Sequence, residues 1–280
     1  MPAARTDDLT ELAEIARRIR RDIVRSTTAA GSGHPSTSLS MVEILTVLYF
    51  GGVLRFDPDD PDDPDRDRFV LSKGHGAPGL YAALAEAGYF PREDLMTLRR
   101  LGSPLEGHPN MCRLPGVEAS TGSLGQGFSI AIGHALAARL DGRAYRVYVM
   151  VGDGESEQGQ IWEAAMYAGN HALDNLTLIV DRNGYQQTGA VADIQPLDPL
   201  EEKLRAFGLE VTTIDGHSLE DVAKALRWAR GVTGRAQAIV ADTIKGKGVS
   251  LLEAKQGAWH GKPIPPDEEA RALEEIGAGS

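Results

Sequence analysis

Tyr145-Arg-Val-Tyr-Val-Met-Val151-Gly152-Asp153-Gly154, followed by Leu176-Thr-Leu-Ile-Val180-Asp-Arg-Asn183, decides how this chain folds. Each stretch is a β-branched or aromatic run that ends in a polar turn, the signature of a strand. Between them, Gln160 to Leu173 places Ile161, Ala164, Ala165 and Ala168 at helical spacing. Strand, helix and strand in about 40 residues form a βαβ unit with parallel strands and a right-handed crossover. Asp153 and Asn183 then stand at the carboxyl ends of neighbouring strands. Open α/β sheets bind ligands there, at a switch point.

The turn also has the residues for a metal–diphosphate site. Gly152 and Gly154 let the backbone approach a diphosphate closely. Asp153 supplies a hard carboxylate oxygen and Asn183 a neutral amide oxygen. Mg²⁺ prefers such oxygens in octahedral geometry and takes few protein ligands beside phosphate. A plain tight turn would account for the tripeptide alone, but not for both strands, the helix and the spaced asparagine together.

Working outward, Asp8 to Ala30 reads as a helix with Leu9, Leu12, Ile15, Ile19 and Ile23 on one stripe. A second, apolar helix runs from about Ser38 to Phe50. Phe69-Val-Leu71 is a short strand, with helices over Leu80–Ala87 and Ile130–Leu140. Beyond the βαβ unit come a strand at Leu209–Ile214, a helix at Leu219–Arg230 and a strand at Gln237–Asp242. A short exposed helix is expected near Glu268–Ile276. The Asp- and Pro-rich run from Asp57 to Asp67 lacks the ordered ligand spacing of a calcium loop and reads as a solvated loop. This alternation predicts an α/β fold, a doubly wound, mostly parallel sheet with helices on both faces. It predicts one domain over 1–280, with a core of about 10–265 and a helical tail at 266–280.

Composition narrows the function. Hydrophobic residues make up 42% of the 280 and charged residues 25%, with a net charge of −11, as in an ordinary globular protein and unlike a nucleic-acid or anionic-membrane binder. No run approaches the ~20 apolar residues of a spanning helix, and the opening residues lack a signal peptide's apolar stretch. The single cysteine, Cys112, cannot form an internal disulfide. A cytoplasmic protein is expected.

Four of the seven histidines stand in Gly- or Pro-flanked turns: His34, His75, His108 and His260. Such rings are free to meet a ligand, to donate to phosphate or sugar oxygens and to move protons near neutral pH. Zinc ligation and simple turn chemistry are the alternatives, although no His-x-x-x-His or cysteine pair supports zinc. His134, His171 and His217 carry no assigned role. Thr121-Gly-Ser-Leu-Gly-Gln-Gly127 is a glycine-rich loop before a helix that could cradle phosphate or a flat ring. Its spacing fits neither a dinucleotide fingerprint nor a P-loop. Lys245 and Lys247 suit phosphate contact or a solvated turn equally.

Taken in order, seven segments resemble transketolase, in its amino-terminal, diphosphate-binding half. They are Gly33-His34-Pro35, Leu71-Ser-Lys-Gly-His75-Gly, Glu106-Gly-His108-Pro, Thr121 to Gly127, Gly152-Asp-Gly154 with Asn183, Asp242-Thr-Ile-Lys-Gly-Lys-Gly248 and Trp259-His260-Gly. The resemblance implies two cofactors, thiamine diphosphate and Mg²⁺. It implies that Asp153, Asn183 and the carbonyl of Tyr185 hold the metal, and that His75, Gly154 and His260 touch the diphosphate. Gly122 and Leu124 would border the cofactor's rings, while His34, His108 and His260 would face the ketose hydroxyls. The implied reaction moves a two-carbon ketol unit from a ketose phosphate to an aldose phosphate.

A single-chain transketolase is more than twice this long, and its second half supplies the glutamate facing the aminopyrimidine. The resemblance therefore implies a split enzyme: this chain with a separate pyrimidine-binding subunit, as α₂β₂. Gln158 stands where the family usually has a glutamate at a subunit contact, and Gln187 where an apolar residue commonly meets the thiazolium. Competing readings are the α-subunit of a 2-oxo acid dehydrogenase, a deoxyxylulose phosphate synthase, or a non-catalytic partner-binding subunit. Glu106-Gly-His-Pro and Trp259-His-Gly favour transketolase, because their histidines suit a polyhydroxylated ketose better than a 2-oxo acid.

Overall fold

The computed structural model describes residues 5–278. Five short strands form one parallel sheet: β1 (Arg68–Leu71), β2 (Val147–Gly152), β3 (Leu176–Arg182), β4 (Glu210–Asp215) and β5 (Gln237–Asp242), in the order β1-β2-β3-β5-β4. The central strands are buried on both faces, which is why they read as unbroken apolar runs rather than as alternation.

Helices cover both faces, as the sequence predicts. On one face α1 (Leu9–Ala30), α3 (Val42–Phe50), α4 (Ala77–Ala87) and α9 (Leu219–Gly231) pack against Leu71, Met150, Ile179 and Ile239. On the other, α5 (Gln126–Leu140), α6 (Gly159–Asn170) and α8 (Leu200–Ala206) pack against Val70, Val149, Leu178 and Val240. The exit of β1 leads to α4 on the first face, and the exit of β2 leads to α6 on the second. The crossover from β1 to β2 passes through α4 on the first face and α5 on the second, and Asp153 and Asn183 directly follow the carboxyl ends of β2 and β3.

Local chemistry explains where the elements differ from expectation. Helix α1 starts at the Asp8 cap, whose Oδ1 accepts from Thr10 N at 2.8 Å, and ends at Gly31 in the left-handed region (φ 57°). Leu9 is exposed, in the first turn and outside the buried stripe. The expected helix over 38–50 is two: α2 (Pro35–Leu39) and α3. Ser38 Oγ donates to His34 O (2.9 Å), and Ser40 Oγ lies 2.9 Å from Thr37 O, local bonds that compete with continued helix. The terminal helix α11 (Glu269–Ala278) follows two single turns, α7 (Val191–Ile194) and α10 (Ser250–Glu253). It is not simply exposed: Ala272 and Ile276 are buried, and Arg21 of α1 donates to Leu273 O at 2.9 Å. The run Asp57–Asp67 is solvated except at Asp67, whose carboxylate accepts from the backbone N–H groups of Arg55 and Arg146.

Candidate active site

Four loops at the carboxyl edge of the sheet, with the turn before α2 and the segment after β5, enclose a cavity of about 340 Å³. His34, His75, His108, Gly122, Leu124, Gly152, Asp153, Gly154, Asn183, Tyr185 and His260 all line it. These residues span more than 220 positions of sequence, yet the fold brings them together.

Asp153 and Asn183 are the first residues past β2 and β3, which the register pairs as Gly152 with Asp181. Asp153 is buried. Its Oδ1 accepts from Gly154 N at 2.8 Å and its Oδ2 from Gly184 N at 2.6 Å. Burial, and then the neighbouring Asp181 carboxylate, push its pKa up to about 6. A buried carboxylate held by two backbone donors, with no ion-pair partner among the described residues, fits a cation. Asn183 Oδ1 accepts from Tyr185 N at 3.2 Å, and these oxygens make the hard donor set that Mg²⁺ requires. Among the described residues, no three His, Cys, Asp or Glu side chains converge on a common metal position.

Two glycines explain the loop geometry. A Cβ on Gly122 (φ +151°) would meet the His108 ring at 2.9 Å, and a Cβ on Gly154 would meet Gln186 Cβ at 2.6 Å. Only bare backbone fits against these neighbours, and this keeps the cradle open on its inner side.

Three imidazoles form a triangle: His34–His75, His34–His260 and His75–His260 have centroids 5.2, 5.3 and 5.5 Å apart. Burial drives all three toward the neutral form, His34 down to about 4, His260 to about 3 and His75 well below its ordinary value. Nearby cations, Lys245 and Lys73 among them, reinforce the shift. His108, less enclosed, is lowered by burial and by Arg99. Lys245 Nζ lies 3.0 Å from His260 Nδ1. An ammonium only donates, so Nδ1 accepts and the neutral ring carries its proton on Nε2. The site is thus lined by neutral imidazoles with donors for oxygen ligands.

Several groups stand out only in three dimensions. Lys245 is buried in the cavity wall, its ammonium also 3.4 Å from Tyr185 O, and burial lowers its pKa to about 8. The solvated-turn reading of this residue is therefore wrong. Lys73, in the Ser72-Lys-Gly-His75 turn, is buried against Asp181, which Ser40 (2.7 Å) and Thr243 also hold. Glu155 accepts from Ser72 Oγ (2.6 Å), Gly125 N (2.9 Å) and Gly152 N (3.1 Å), and so ties the β1 exit, the glycine-rich loop and the end of β2 together. His217 accepts from Ile244 N through Nε2 at 2.8 Å and donates from Nδ1 to Glu43 at 3.0 Å, which braces the Lys245 turn. The signals were faint: a lysine inside a strand-to-turn motif, and a glutamate directly after Gly152-Asp-Gly154.

Comparison with known proteins identifies the family. A family model described as the transketolase thiamine diphosphate-binding domain matches residues 10–279. A 6-deoxy-6-sulfo-D-fructose transketolase subunit from a Clostridium strain is 50% identical over 225 residues, 80% of this chain and 82% of that one. An apulose-4-phosphate transketolase subunit from Actinobacillus succinogenes is 44% identical, covering 95% of this chain and 96% of that one. Rat transketolase is 43% identical over 96% of this chain, which spans only 42% of the rat protein. The crystal structure of Campylobacter jejuni transketolase superposes with a TM-score of 0.90 at 34% identity, over 96% of this chain and 43% of that one. The chain covers 82% and 96% of the two subunit relatives, but less than half the length of the longer transketolases. By fold and sequence, it belongs to the transketolase family, as the thiamine diphosphate-binding portion of that enzyme.

Proposed function

We propose that this chain is the amino-terminal subunit of a two-chain, thiamine diphosphate- and Mg²⁺-dependent transketolase, acting on sugar phosphates with a pyrimidine-binding partner in an α₂β₂ assembly. The observation that supports this most is the convergence, in one cavity, of a buried Asp153–Asn183 oxygen pair with four histidines and two buried lysines. The single cysteine suits a cytoplasmic location; among the described residues no helix is long and apolar enough to cross a membrane.

In this reading Asp153 Oδ, Asn183 Oδ1 and the Tyr185 carbonyl hold Mg²⁺. Gly152, Gly154, His75, His260 and Lys245 hold the diphosphate, and Gly122 and Leu124 border the rings. The bound cofactor supplies the carbanion chemistry that breaks and remakes the ketose C2–C3 bond. The protein binds, orients and moves protons. His34, His108 and His260 face the sugar hydroxyls, and their neutral rings offer ring nitrogens that donate or accept hydrogen bonds to those hydroxyls. The cations beside the diphosphate suit a polyanion.

Two expected results test the reading. Titration of thiamine diphosphate into the two-chain mixture should give saturable binding that EDTA abolishes and Mg²⁺ restores; binding indifferent to EDTA would remove the metal role. His108→Ala should lower kcat/KM for the donor ketose by about 10²-fold while leaving cofactor affinity unchanged, as expected for a group that handles substrate protons. Loss of folding in this variant would instead make the histidine structural.

A further inference from the structure

We propose that Arg99 is a positioning residue for ketol transfer: its guanidinium spans the two turns that carry His34 and His108 and fixes the separation of these imidazoles. The proposal rests on the reading of those histidines as sugar-facing groups. Arg99 Nη1 donates to Ser32 Oγ at 2.9 Å, and Nη2 donates to Gly107 O at 3.2 Å. Ser32 lies two residues before His34, and Gly107 directly precedes His108. One rigid, planar fork therefore joins segments 67 residues or more apart in sequence.

The fit is close and the backbone is bent to achieve it. A Cβ on Gly107 would lie 3.1 Å from Arg99 Cζ, so the guanidinium rests on bare backbone. Arg99 itself has φ +58°, the left-handed region that a residue with a Cβ seldom adopts. Its N–H donates to Leu105 O at 2.8 Å, closing the loop that leads into the His108 turn. Strain of this kind persists where surrounding contacts over-determine it, and it gathers at functional sites. Among the described residues no carboxylate lies within ion-pair distance of this half-buried cation. A cation kept without a counter-charge acts on what it faces, and Arg99 lowers the pKa of both His34 and His108. The other groups facing His34 are Lys245, Lys73, His108, His75 and His260. Arg99 does not line the cavity, so it acts through the histidines and not on the sugar.

The test compares Arg99→Gln, Arg99→Lys and Arg99→Gly in the two-chain complex saturated with thiamine diphosphate and Mg²⁺. Glycine removes the side chain while suiting the left-handed backbone, so it separates side-chain loss from misfolding. Expected are a drop of about 10²-fold in donor kcat/KM for the glutamine and glycine variants, cofactor affinity and thermal midpoint unchanged, and incomplete recovery with lysine. The acid limb of the pH–rate profile should move to higher pH in Arg99→Gln and stay in place in Arg99→Lys. Wild-type kcat/KM with an unmoved acid limb in Arg99→Gln, in an enzyme where His34→Ala and His108→Ala lose turnover, would overturn the proposal. So would parallel loss of cofactor binding and stability in all three variants. If the histidine variants themselves keep full turnover, the sugar-facing reading fails first and the proposal falls with it.

Discussion

Asp153→Ala should abolish Mg²⁺-dependent cofactor binding and, with it, all turnover. The carboxylate is the only charged oxygen in the proposed ligand set; Asn183 and the Tyr185 carbonyl are neutral. Without it, the proposed ligand set would hold a dication with neutral oxygens alone. Outer-shell changes typically cost 10–100-fold in metal affinity, so the loss here should exceed about 10²-fold. The fold itself should survive, because Asp153 contributes only two backbone hydrogen bonds, from Gly154 and Gly184, and its burial as an anion is unfavourable without the metal. Calorimetry of the Asp153→Ala complex with thiamine diphosphate, beside a thermal melt of the variant chain, checks both halves. Wild-type affinity would show that the metal sits elsewhere.

Lys73→Met should have the largest effect on stability. Lys73 is 1% exposed and Asp181 0%, so removing the cation strands a buried carboxylate. Breaking a pair of this kind costs about 3–5 kcal/mol. Asp181 keeps its bonds from Ser40 and Thr243, and these soften the loss without removing it. Pairing with Lys73 depresses the folded pKa of Asp181 below its ordinary value. The contribution is therefore present above the ordinary carboxylate range and is lost as pH falls through the lower folded value. The gap in unfolding free energy between wild type and Lys73→Met should narrow in acid, and Lys73→Met with Asp181→Asn should recover much of it. A single variant as stable as wild type at pH 7 in urea denaturation would rule out the ion pair as a structural element.

The contrast between Asp153 and Lys73 shows where the sequence was legible. Asp153, Asn183 and the strands before them are local patterns, each readable in a window of about ten residues, and the parallel sheet follows from their spacing. The glycine-flanked histidines were legible for the same reason: the unusual feature sits beside the functional one. Lys73 and Glu155 take their meaning from Asp181, 108 residues away, and from Ser72, 83 residues away. No local pattern carries such a pairing. Lys245 is ambiguous because a lysine before a glycine looks the same whether the turn faces water or a cavity wall. The break between α2 and α3 was missed because the apolar spacing continues through it, while Ser38 and Ser40 turn to backbone carbonyls and, at Ser40, to Asp181. His217 carries no local sign of a role, since its partners Glu43 and Ile244 arrive from other elements.

The central claim is that this chain holds the metal–diphosphate half of a site completed by another chain. Ketol transfer between a pentose phosphate donor and acceptor, measured with thiamine diphosphate and Mg²⁺, tests it most directly. The chain should be assayed alone and with a separately expressed pyrimidine-binding transketolase subunit, the product of the adjacent reading frame being the first choice. Silence alone and turnover in the mixture is the predicted result. Turnover by the chain alone would contradict the two-chain account, and a mixture that binds cofactor in a stable complex yet transfers no ketol unit from any sugar phosphate would contradict the catalytic one.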